Sequence, residues 1–203
     1  MSKYKAVGFD YGGVVFGEPT KKIMQHIRDH IGVTQEEWKR AWWQHNHKMN
    51  KGSITYNDVI KLVLHDLGKD EFYEYVTKTQ LEAEQKQSIS RDILDLADDL
   101  RRNGYKVGIL SNMDKAGYHK IKALGLGKHF DVMDFSCNIG AMKPEPGAFL
   151  RLAHDLSVDI RELVFIDDND KPLETAEEVG FKPILFENFN QLKSVLQDLN
   201  LLT

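Results

Sequence analysis

The sequence predicts an α/β fold, a doubly wound parallel sheet carrying a small all-helical cap. Three observations lead there. Short apolar runs of strand length recur at 4–10, 105–111, 130–136, 162–167 and 181–186, rich in Val, Ile and Phe and bounded by Gly, Asn or Asp. Helical patterns separate the last four runs, as parallel strands covered on both faces require. Residues 16–88 carry helical periodicity and no strand pattern.

Taken in order, YKAVGFD at 4–10 ends in Asp10, followed by Tyr11-Gly12-Gly13. Ile23, Ile27 and Ile31 then mark one helix that stops at Gly32. Thr34 and Glu37 form a capping-box pattern for a second helix carrying Trp38, Ala41 and Trp42. Thr55 caps a third, with Val59, Val63 and Leu67 before Gly68, and a fourth runs from about Asp70 into the 80s. Ile89, Ile93, Ala97 and Leu100 form the next stripe, closed by Asn103-Gly104. YKVGILS at 105–111 ends in Ser111-Asn112, and FDVMDFS at 130–136 leads into GAMKPEPGAF, which holds Lys143. Cys137 reads as a small core hydrophobe at a buried strand end. ELVFID at 162–167 ends in Asp167-Asp168, FKPILF follows at 181–186, and Leu192, Leu196 and Leu199 mark the last helix. Residues 1–15 and 89–203 are therefore expected to form the core, with 16–88 as the cap. Ligands of open α/β sheets bind at the strand C-termini, where this insertion emerges, so it is expected to act as a lid.

Composition excludes several classes. With 203 residues, 41% hydrophobic and 29% charged, the chain has the balance of a globular enzyme. A net charge of −4 is too mild and too evenly spread to suggest nucleic acid or anionic membrane as a partner. The N-terminal MSKYKAVGFDYGGVVF is broken by Asp10 and by glycines, so it reads as neither a signal peptide nor a membrane span. Cys137 stands alone, which excludes an internal disulfide and suits a reducing cytoplasm. A monomer or weak homodimer is expected.

Polar residues collect at strand ends. Carboxylates at the tips of two strands, Asp10 and Asp167-Asp168, can converge on a hard cation that wants oxygen ligands. The Ser111 hydroxyl can bond a phosphoryl oxygen, and the Lys143 ammonium can neutralise phosphate beside an anionic aspartate. Each residue has an ordinary alternative: Asp10 as a turn or helix cap, Asp167-Asp168 as an N-cap before Pro172, Ser111 as a turn residue, Lys143 as a solvated charge. Their shared place on the C-terminal side of successive strands makes the constellation the signal, a set suited to phosphoryl transfer onto aspartate.

These residues resemble the four motifs of the haloacid dehalogenase (HAD) superfamily, whose members are mostly phosphatases built on a Rossmann-like core. Phe9-Asp10-Tyr11-Gly12-Gly13-Val14-Val15 is similar to the first, Ile109-Leu110-Ser111-Asn112 to the second, Lys143-Pro144-Glu145-Pro146 with Phe149 to the third, and Val164-Phe165-Ile166-Asp167-Asp168 to the fourth. The resemblance covers essentially the whole chain and matches members with a helical cap after the first strand. It implies a phosphoric monoester hydrolase acting on a small phosphorylated metabolite, with Mg²⁺ as cofactor and Asp10 as nucleophile. Ser111, Asn112 and Lys143 would hold the phosphoryl group. Asp10, the Gly12 carbonyl, Asp167 and Asp168 would hold the metal, Asp168 directly and Asp167 directly or through water.

One position departs from the pattern. Most phosphatases of that family carry a second Asp two residues after the nucleophile, to protonate the leaving group and then activate water; here it is Gly12. General acid–base catalysis is worth about 10²–10⁴-fold, so a slow or selective enzyme is expected. Leaving groups that depart unprotonated, such as anomeric sugar phosphates or acyl phosphates, would suffer least. Some relatives with Gly or Asn in that part of the motif are sugar-phosphate phosphatases. His45, His47, Glu18 and Tyr11 are candidate substitutes for the missing acid, although the histidines read first as exposed or capping groups, and Trp42 and Trp43 read as cap packing before a sugar platform. Two rivals remain: a 2-haloacid dehalogenase, in which Asp10 would attack carbon without metal, and a non-catalytic module that binds metal or phosphate.

Overall fold

The computed structural model describes residues 2–17, 21–86 and 88–202, apart from the side chains of Lys21 and Lys22. Its centre is a five-stranded sheet, all parallel, in the order β3-β2-β1-β4-β5. The strands are β1 (Ala6–Phe9), β2 (Lys106–Ser111), β3 (Val132–Phe135), β4 (Leu163–Asp167) and β5 (Lys182–Leu185). All five coincide with the apolar runs read from sequence. β1, flanked by β2 and β4, is buried along its whole length, the environment in which an unalternating apolar run is stable. The chain lays β2 and β3 to one side of β1 and then β4 and β5 to the other. The strand order therefore reverses beside β1, where such sheets form their binding crevice.

Register fixes what meets there. Phe9 pairs with Ile109 on one side and Ile166 on the other, so Asp10, Ser111 and Asp167 all emerge at the same edge.

Helices cover both faces. Helices α5 (Arg91–Arg102), α6 (Lys115–Ala123) and α11 (Phe189–Asp198) bury Ile93, Leu100, Ile121, Leu192 and Leu196 in one apolar cluster. Helix α8 (Pro146–Asp155) presses Phe149 and Leu152 onto the opposite face, where Phe149 stacks on Phe181 at 4.4 Å. Glycines permit that approach: a Cβ at Gly8 would lie 2.7 Å from Leu152 Cδ2, and one at Gly108 2.9 Å from Leu152 Cδ1. Three single-turn helices, α7 (Ser136–Ile139), α9 (Asp170–Leu173) and α10 (Ala176–Val179), complete this half.

Between β1 and α5 lie α1 (Lys21–Ile31), α2 (Gln35–Asn50), α3 (Tyr56–Asp66) and α4 (Tyr73–Lys86). Both expected caps form as capping boxes, Thr34 with Glu37 and Thr55 with Asp58. These helices bury their own cluster, in which Ile27, Val59, Ile60, Val63, Leu64 and Val76 are fully covered. The chain segments entering and leaving this insertion bond to each other, Gly17 N to Ser88 O at 3.0 Å and Ser90 N to Val15 O at 2.9 Å.

Several local expectations shift. Ile89 lies outside a helix, bridging to Phe16, because Ser90 takes the N-cap of α5 through Ile93 N. Leu199 is the C-cap of α11, and α4 is preceded by a 3₁₀ turn at Asp70–Phe72. Cys137 sits half-buried in α7, past the strand end, and burial pushes its thiol pKa up. The cap of α9 is Asn169, and not the Asp167-Asp168 pair. Among the described residues no helix is long and apolar enough to cross a membrane.

Candidate active site

Three strand tips and one loop bring the expected charges together. The Lys143 ammonium is buried, 2.9 Å from Asp10 Oδ1 and 2.5 Å from Asp167 Oδ2. Oxygens of Asp10, Asp167 and Asp168 lie within 4.8 Å of one another. Asp10 is anchored by its backbone N–H, which donates to Ile166 O at 2.8 Å. Asp167 accepts from Asn169 N at 2.9 Å through Oδ1, so its two oxygens have separate partners.

Asn112 does something that sequence reasoning missed. Its side chain was expected to hold phosphate, but Nδ2 donates to Lys143 O at 2.7 Å and Oδ1 accepts from Lys143 N at 2.8 Å. Asn112 therefore orients the lysine, and the second Nδ2 proton leaves the expected phosphate contact open. Ser111 ends β2 buried, and its hydroxyl has no hydrogen-bond partner among the described residues, which leaves it for a ligand.

The neighbouring glycines differ in kind. Gly13 has φ +77°, and a Cβ there would lie 2.5 Å from the Asp168 carboxyl carbon. The backbone must pass against that carboxylate, and only glycine allows it. Gly12 stands in open space outside the left-handed region, so nothing in the fold requires a glycine there.

Electrostatics match the geometry. Burial pushes the Lys143 pKa down, but Asp10 and Asp167 outweigh it and the net shift is upward, so the lysine is a fixed cation. Asp167 is pushed up to about 6, by burial first and by Asp10 in addition, with Lys143 pulling against both. Lys143 faces two carboxylates at once, Asp10 and Asp167. Asp10 Oδ1 is buried, and its contact with Lys143 falls outside hydrogen-bond geometry. An under-bonded carboxylate oxygen in an all-oxygen set fits a hard divalent cation, which Asp10, Asp167 and Asp168 could hold.

The candidate substitutes for the missing acid separate. Tyr11 is buried and stacked on Phe16 at 5.4 Å; desolvation, with Glu84 nearby, pushes its pKa up to about 12. That makes it a poor proton donor near neutrality. His45 is engaged 2.7 Å from Asp66 on α3, His47 is exposed, and Glu18 lies outside the described residues. Trp42 packs 5.9 Å from Tyr56 against the helical cluster, and Trp43 is exposed.

The helical insertion also places polar groups over this edge. Asn46 and Asn50 are buried on α2, and Asn50 Nδ2 lies 3.8 Å from Met142 Sδ, the residue before Lys143. Lys51 pairs with Glu145 at 3.0 Å, and Asp114 Oδ2 accepts from Tyr56 N at 3.1 Å. The spacing of Asn46 and Asn50 was a visible signal, but only burial shows that this face is covered.

Known proteins resemble this chain in sequence and in fold. A profile of the haloacid dehalogenase-like hydrolases matches residues 4–180. Phosphatase MT3486 of Mycobacterium tuberculosis (strain CDC 1551 / Oshkosh) is 27% identical over 96% of this chain and 93% of its own. Bifunctional epoxide hydrolase 2 of Rattus norvegicus is 24% identical over 89% of this chain, which spans about a third, 36%, of that larger protein. Among solved structures, a HAD-family enzyme of Bacteroides thetaiotaomicron complexed with magnesium and inorganic phosphate superposes with a TM-score of 0.60 at 21% identity, covering 93% of this chain and 98% of that one.

Proposed function

This chain belongs to the haloacid dehalogenase-like hydrolases, and from that premise we propose that it is a magnesium-dependent phosphatase working through an aspartyl-phosphate on Asp10. The observation that carries the reading is the buried Lys143 ammonium spanning Asp10 and Asp167 beside Asp168, a charge arrangement suited to an incoming phosphoryl group and a cation. Its similarity to a protein named as a phosphatase along nearly the whole of both chains supports the same class.

In this mechanism Asp10 attacks phosphorus and the bond to the leaving oxygen breaks. Lys143 and Ser111 hold the transferring oxygens, while Asn112 keeps the lysine in place. Water then attacks phosphorus, the bond to Asp10 breaks, and inorganic phosphate leaves. Magnesium held by Asp10, Asp167, Asp168 and the Gly12 carbonyl would supply charge stabilisation of the phosphoryl oxygens. With glycine at position 12 the leaving oxygen departs unprotonated, so an anomeric or acyl phosphate is favoured over a primary-alcohol phosphate. Residues 16–88 act as the cap that closes this site and selects the substrate, over a core of 1–15 and 89–203.

Incubation with p-nitrophenyl phosphate, with and without Mg²⁺, tests the reading. We expect metal-dependent turnover that Asp10→Asn lowers by ~10⁴-fold or more, because a nucleophile has no substitute. A phosphorylated Asp10 is expected by mass spectrometry after a rapid quench. Absence of both turnover and label would favour the non-catalytic binding module, for which Gly12 is the supporting feature. Metal-independent halide release from chloroacetate would identify a dehalogenase, against the three-carboxylate cluster.

A further inference from the structure

Three buried amide oxygens find no hydrogen-bond partner among the described residues: Asn46 Oδ1, Asn50 Oδ1 and Gln80 Oε1. All belong to the helical insertion. Asn46 and Asn50 are each 3% exposed and stand one turn apart on α2, so their side chains share a face. That face is turned towards the strand tips, since Asn50 touches Met142 beside Lys143 and α2 packs on α7. Gln80, on α4, directs its amide nitrogen to the Tyr56 hydroxyl, and the backbone of Tyr56 is bonded across the same junction to Asp114.

Buried acceptors left unmatched destabilise a protein, and native structures hold few of them. Three of one chemical kind, on two helices facing one junction, call for a shared explanation. We propose that Asn46, Asn50 and Gln80 read the leaving group of the substrate, and that this group is neutral and rich in hydroxyls, as in a phosphorylated sugar or polyol. The proposal rests on the phosphatase reading above for the position of the phosphoryl group. Hydroxyl protons would satisfy the amide oxygens without adding charge. Unmatched carbonyl oxygens repel a second phosphate or a carboxylate, because an anionic oxygen offers them no proton. A purely aliphatic group would leave every amide oxygen unmatched.

Calorimetric titration of Asp10→Asn protein with Mg²⁺ tests the proposal without turnover. The probes are a hexose phosphate and ethyl phosphate, which share the phosphoryl group and differ in hydroxyls. The hexose phosphate is expected to bind at least about ten-fold tighter, and Asn46→Leu or Asn50→Leu each to cut that ratio about 3- to 10-fold, the value of one neutral hydrogen bond. Both leucine variants should keep or raise the melting temperature, which a purely structural asparagine would not permit. Gln80→Met, close in shape, gives the same readout should a leucine variant fail to fold. A ratio near one in the parent, a ratio unmoved by the substitutions, or failure of both probes to bind overturns the proposal. If the ratios behave as expected while native protein hydrolyses neither compound, the hydroxyl-reading site stands and the phosphatase reading falls.

Discussion

The two halves of the molecule handle buried polarity in opposite ways. In the sheet half the buried charges at the strand tips are drawn together by short contacts, Lys143 between Asp10 and Asp167 above all, with the neutral Ser111 beside them. In the helical half they are neutral amides, and three carbonyl oxygens are left unmatched, each at a cost of about 1–3 kcal/mol. Charge fixed on a rigid sheet suits chemistry common to many substrates. Neutral amides on helices with their own apolar cluster suit discrimination, because they can change without disturbing the charges.

Removing Lys143 tests the charged half hardest. Lys143→Met leaves two carboxylates facing each other in a buried site, and breaking such a pair from one side costs about 3–5 kcal/mol. We expect kcat to fall about 10²–10³-fold, as for loss of a preorganised charge, and the melting temperature to drop in chelator and recover partly with Mg²⁺. An unchanged melting temperature would mean that the carboxylates do not need their cation.

The glycine pair sharpens the contrast within a single loop. Gly13→Ala would drive a methyl group into Asp168 and should abolish metal-dependent turnover. Gly12→Asp meets open space, so it should fold normally and speed dephosphorylation of Asp10 about 10- to 100-fold, a fraction of what acid–base catalysis can give. Single-turnover release of phosphate measures both. Equal damage from the two substitutions would show that the loop, and not the individual glycine, matters.

Asp134 gives the smallest effect and sits away from the strand tips, within β3. Burial pushes its pKa up to about 6, Asp155 adds to the rise, Arg151 opposes it, and Oδ2 is buried without a hydrogen-bond partner. A carboxyl whose folded pKa is raised contributes stability below its unfolded pKa near 4, and that contribution is lost as pH rises through 6. Asp134→Asn should therefore stabilise the protein by about 1–2 kcal/mol at pH 7–8, with the gain vanishing near pH 4. Urea melts across that range would show it.

Much of this was legible beforehand for physical reasons. A strand buried on both faces must be apolar, so its polar terminus stands out, which is why Asp10, Ser111 and Asp167 were readable. Capping boxes at Thr34 and Thr55 are local and were equally visible. The contact of Asn112 with Lys143 was not, because its partner is a backbone 31 residues away that only the fold brings near. Asn46 and Asn50 stand one turn apart, but only packing shows that the face they share is covered. Sequence alone also could not say which of Gly12 and Gly13 the backbone demands, since φ and the Asp168 contact are tertiary facts.

The bonds from Gly17 to Ser88 and from Val15 to Ser90 have a consequence for how such a molecule can change. A segment whose two stems are tied side by side behaves as a cassette in a single socket. It can be exchanged for another of different length without altering the spacing of the strands, so the insertion can vary while the strand tips stay where they are.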